Sequence, residues 1–91
     1  MATLHMDVEV ARSTQSNMAN TYQQLSHLVQ SMTSAVNNLQ SAWMGNSATE
    51  FFQLYEQWRS SMNTTLENLN TMAQKLQAEI NEWEQMASKL A

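Results

Sequence analysis

Cysteine is missing from this chain of 91 residues. A disulfide scaffold, a thiolate zinc site and a cysteine nucleophile are therefore excluded. Proline is missing too, and Gly45 is the single glycine. Sheet proteins of this size need several turns, and turns draw on glycine and proline. The composition points to an all-α chain. Charge is scarce as well: charged residues make up 13% of the chain, about half the usual share. With 4 basic and 8 acidic residues, the net charge is −4. A nucleic-acid binder needs clustered positive charge to displace counterions, so no nucleic-acid partner is expected. No run approaches the ~20 consecutive apolar residues of a membrane span, and stable membrane insertion is not expected. Residues 1–7 contain neither a basic segment nor an apolar core, so the sequence predicts no cleavable signal peptide.

What the chain has instead is uncharged polarity and a strict period. Ser, Thr, Asn and Gln make up 37 of the 91 residues, so amides and hydroxyls wet the surface. Val8, Ala11, Gln15, Met18, Tyr22, Leu25, Val29, Met32, Val36, Leu39 and Trp43 follow one another in steps of three and four, and only Gln15 is polar. Such alternation averages 3.5 residues and holds one stripe against a partner helix. The pattern resumes at Ala48, Phe52, Tyr55, Arg59, Met62, Leu66, Leu69, Ala73, Leu76, Ile80, Trp83, Ala87 and Leu90, with only Arg59 polar. This predicts helix one near 7–42, a turn at 43–46 and helix two near 47–89, all within one hairpin domain. Each helix should be roughly 50–65 Å long at 1.5 Å per residue. Residues 1–5 and the last two or three are expected to fray.

The corner carries its own signals. Gly45 suits a left-handed residue that ends helix one. Ser47-Ala-Thr-Glu50 reads as a capping box for helix two. Asp7 and Glu9 favour one helix N-terminus, and Lys89 favours the last C-terminus. A loop this short makes the helices antiparallel neighbours, with residue numbers that total about 91 facing each other. Trp43, Phe51, Phe52, Tyr55 and Trp58 gather at this corner. They read either as a hydrophobic plug or as a recognition knob, since Trp and Tyr are favoured anchors.

A hairpin seam needs only two apolar rows, and this chain has a third. With Val29 labelled a in the heptad, the g row reads Thr14, Thr21, Leu28, Ala35 and Ala42 on helix one, and Phe51, Trp58, Thr65, Met72, Glu79 and Met86 on helix two. The e rows are largely polar. A face this wide suits a bundle of more than two helices. Full burial of each large side chain is worth ~1.5–3 kcal/mol. The row predicts that two hairpins pair across a two-fold axis into a four-helix bundle, with Leu28, Ala35, Phe51, Trp58, Met72 and Met86 at the interface. A second copy or a related small hairpin could supply the other half.

Catalytic groups are sparse. His5 and His27 are the only histidines, and no pair sits four apart for a metal. Glu79, Glu82 and Glu84 read as a solvated face, because acid–base work needs a cleft to shift pKa values. One glycine cannot build a phosphate loop. No catalytic residue, metal or cofactor is expected. Arg59 and Gln15 read as seam residues that set register, Arg59 with its head at the edge or on Glu56.

Trp43-Met44-Gly45, midway between two long helices free of proline, resembles the W-X-G family of small type VII secretion substrates. The resemblance spans essentially the whole chain. It implies a helical hairpin that dimerises, is exported folded without a cleavable signal, and meets a membrane-bound FtsK-like ATPase. It also implies that Trp43 and Gly45, with Met44 between them, form half of an export signal at the bend. The family's other half is a C-terminal Tyr-x-x-x-Asp/Glu. Tyr22 and Tyr55 are the only tyrosines here, and Ile80 with Glu84 matches only a looser version of that pattern. In this the chain is more similar to homodimeric members. The competing expectation is an intracellular helical adaptor or chaperone, paired with another small hairpin or a larger effector.

Overall fold

The computed structural model describes residues 5–90, with Lys89 and Leu90 described by their backbone alone. The expectations for residues 1–4 and 91 and for the Lys89 and Leu90 side chains lie outside the described residues. Two helices form the fold: α1, Val8–Gln40, and α2, Asn46–Leu90. No strand is present among the described residues. At 1.5 Å per residue, the 45 residues of α2 span about 67 Å. That length sets the long dimension of the 68 × 24 × 16 Å molecule.

Both ends of α1 are fixed by side chains. Asp7 is its N-cap, its Oδ1 accepting the Val10 N–H at 3.2 Å while its carbonyl accepts from the Ala11 N–H at 2.9 Å. A short side-chain acceptor there satisfies an otherwise orphaned donor. At the other end the Ala42 N–H reaches the Leu39 carbonyl at 2.9 Å and the Ser41 hydroxyl donates to the Asn38 carbonyl at 2.8 Å. These tightened bonds close α1 at Gln40, two residues earlier than the apolar period suggests.

Gly45 therefore does not end α1. It starts α2. Its φ of +120° is a conformation that side-chain-bearing residues rarely adopt. Its carbonyl accepts both the backbone N–H of Thr49, at 3.1 Å, and the Thr49 hydroxyl, at 3.2 Å. Gly45 thus occupies the capping place that the sequence assigns to Ser47. Because α2 begins at Asn46, Ser47 and Glu50 fall inside its first turns.

The two stripes meet along the hairpin. Ala11, Val29, Ala48, Tyr55, Leu66, Ala73 and Ile80 are the buried residues among those described, and every one lies on a predicted stripe. Across the seam the Thr33 Oγ1 and Tyr55 OH lie 2.5 Å apart. Arg12 of α1 forms an ion pair with Glu84 of α2, tying the end away from the elbow. Arg59 keeps its head at the edge and pairs with Glu56 at 3.3 Å. The start of α1 and the end of α2 lie together at that far end, and the elbow closes the other.

Candidate interaction surface

The hairpin is too thin to cover what it carries. A compact chain of this mass exposes about 5,400 Å², whereas this one exposes 7229 Å². Its radius of gyration is 20.4 Å, against about 12 Å for a compact domain of this length. Among the described residues, only Ile80 is completely buried.

Most of the exposed large apolar side chains fall on one side. Leu28, Phe51, Trp58, Met72 and Met86, all of the g row, are exposed large apolar side chains, and Ala35 is exposed beside them. In an antiparallel hairpin the two g rows flank the same edge of the seam. Two open apolar grooves adjoin there. One is bounded by Leu28, Ala35, Met32 and Trp58, and the other by Phe51, Leu54, Trp58 and Met32. Leu54, 64% exposed, widens this face beyond the row identified from the sequence. It occupies heptad position c, which borders g, and labelling that row too would have found it. Met32 and Leu39 belong to the stripe yet remain exposed, because a single neighbouring helix shelters them from one side only.

The opposite edge is different. Gln15, Gln23, Asn70, Gln74 and Gln77 line the groove there, together with Met18 and Tyr22. Water already serves those amides well, so pairing would gain little on that side.

The elbow forms a second distinct surface. Trp43 is half-buried, its ring 5.6 Å from Phe51 and 5.9 Å from Phe52, and those two lie 5.4 Å apart. Tilted and edge-on packing of this kind suits the ring quadrupoles. Tyr55 and Trp58 stack 5.7 Å apart one turn further along α2. The plug is therefore built, and Met44 projects from it, 90% exposed. Trp43, Met44 and Gly45 give the elbow a packed ring, a bare thioether and a left-handed hinge in succession.

The remaining candidate residues scatter. Ile80 is fully buried, while Glu84, one turn on, is held by Arg12 at the surface. His5 and His27 are exposed on separate stretches of chain. Among the described residues, no three of His, Asp or Glu converge as metal ligands. No helix among them is long and apolar enough to cross a membrane.

A family model described as "Proteins of 100 residues with WXG" matches residues 3–86. Comparisons with curated proteins and with solved structures give no match.

Proposed function

Because the chain belongs to the WXG100 family, small helical proteins secreted by type VII systems that generally pair as dimers, we propose that it is a non-enzymatic export substrate that travels as a folded homodimer. The apolar face of the g rows is the observation that carries this reading. Side chains about half exposed there recover roughly half of their ~1.5–3 kcal/mol each on burial. Summed over the face, that offsets the several kcal/mol by which association restricts two bodies.

The shape favours two identical copies. Helix one presents small residues such as Ala35 where helix two presents Phe51 and Trp58. A two-fold axis sets the large row of each copy against the small row of the other, giving a four-helix bundle. A paralogous hairpin with the same arrangement is the alternative partner.

The elbow is assigned to recognition by an FtsK-like secretion ATPase. Trp43 anchors the ring cluster, Gly45 sets the turn, and Met44 is the side chain presented outward. In the looser C-terminal pattern, Glu84 is the accessible member and Ile80 fixes the helix that carries it. Export then needs no cleavable leader and no cofactor.

The test has two arms. Sedimentation of the purified chain should show a dimer with cooperative melting. In cells with a type VII system, the wild-type chain should reach the culture supernatant, and Trp43→Ala should stay inside. A chain that is molten alone and folds only with a partner points to the adaptor reading. Export that survives both Trp43→Ala and truncation after residue 79 removes the recognition role.

A further inference from the structure

Sulfur in this chain is present only as thioether, since it has 8 methionines and no cysteine. Methionine is normally among the most buried residue types. Here none of the seven described methionines is buried. Three of them lie on the apolar face or its rim: Met32, 48% exposed, Met72, 54%, and Met86, 49%. A fourth, Met44, is 90% exposed at the elbow. With no thiol to react first, a two-electron oxidant reaching this protein meets these sulfurs.

We infer that Met32, Met72 and Met86 are oxidation sites that couple pairing of the hairpin to peroxide. This rests on the homodimer reading above. In the single hairpin these three side chains are each about half exposed, so peroxide can reach them. Attack on hydrogen peroxide forms the sulfur–oxygen bond and breaks the oxygen–oxygen bond. The sulfide is oxidised by two electrons to the sulfoxide, and the peroxide is reduced, its other oxygen leaving as water with the remaining proton. In the paired form the same sulfurs are covered by the partner, so pairing protects them. Once formed, a sulfoxide is a polar group that cannot return to an apolar interface without desolvation. Oxidation therefore traps the single-chain form. Met44 lies off this face and reacts in either state, serving as an internal reference.

The experiment oxidises the full chain with hydrogen peroxide and maps sulfoxide by peptide mass spectrometry, at concentrations above and below the dissociation constant measured by sedimentation. Met44 should react equally at both. Met32, Met72 and Met86 should react several-fold faster in the dilute sample. The oxidised chain should pair at least about tenfold more weakly, the factor that one lost apolar contact of 1.4 kcal/mol gives. The triple variant Met32→Leu, Met72→Leu, Met86→Leu should pair and remain paired after peroxide. Equal reactivity at both concentrations, or unchanged pairing of the oxidised chain, overturns the inference while leaving the homodimer intact. Dissociation of the triple variant by peroxide also overturns it, by placing the effect at other sulfurs. An unoxidised chain that never pairs overturns both.

Discussion

The hydroxyls of Thr33 and Tyr55 meet 2.5 Å apart across the seam, and the Tyr55 ring is buried beside Trp58. The Thr33 hydroxyl donates its one proton to the Val29 carbonyl at 2.8 Å. Tyr55 must then be the donor between the two hydroxyls. This is the hairpin's cross-helix bond at a part-buried position, and it fixes register near the elbow. Tyr55→Phe should cost about 0.5–1.5 kcal/mol, because Thr33 keeps its carbonyl bond. Urea unfolding at fixed protein concentration measures it. A loss above that range would mean that the ring itself has shifted.

Burial should rank the core substitutions. Ile80 is completely buried, so Ile80→Ala should cost about 2–5 kcal/mol. Met44 is 90% exposed, so Met44→Ala should stay within about 0.5 kcal/mol of wild type. Thermal melts of the two variants side by side give the comparison.

A side chain at Gly45 should strain the elbow without clashing. An added Cβ would have nothing within 4 Å, but the φ of +120° is unfavourable for any L residue. Gly45→Ala should therefore cost about 1–3 kcal/mol through the backbone alone. Circular dichroism should show unchanged helix content with a lowered melting temperature.

The Arg12–Glu84 pair is exposed at both partners. A double-mutant cycle with Arg12→Ala and Glu84→Ala should return less than about 1 kcal/mol of coupling. Repeating the cycle at 1 M salt should shrink it towards zero. Coupling that survives salt would show that the pair is sheltered in the assembled protein.

Trp58 should be the anchor of the apolar face. Trp58→Ala should weaken pairing at least about thirtyfold, the equivalent of a 2 kcal/mol hot spot. Gln74→Ala, on the amide-lined edge, should leave it unchanged. Sedimentation equilibrium distinguishes the two.

Much of this architecture is legible in the residue order because a 3.5-residue period has one geometric meaning. Val29, Leu66, Ala73 and Ile80 could be placed in the core from spacing alone, and they are buried there. The elbow was harder to read. Where α1 stops depends on which carbonyls Ala42 and Ser41 reach, and periodicity carries no such information. Gly45 signals a turn but not which helix it serves. The far end follows the heptad labels. Arg12 and Glu84 both occupy position e, on one edge of the seam, and they pair there, whereas Glu79 occupies g on the other edge and lies 3.9 Å from Lys75 of its own helix. The g row was visible in sequence, but the bordering c row, with Leu54, shows that the exposed face is broader than one heptad position.

The joining of the helices at one end has a mechanical consequence. Tension between the start of α1 and the end of α2 peels the rods apart like a zipper. It first breaks the Arg12–Glu84 tie, then loads one layer of side chains at a time. Tension between the elbow and either end must instead slide every layer together. The same molecule is thus easy to unravel from its free ends and stubborn along its axis.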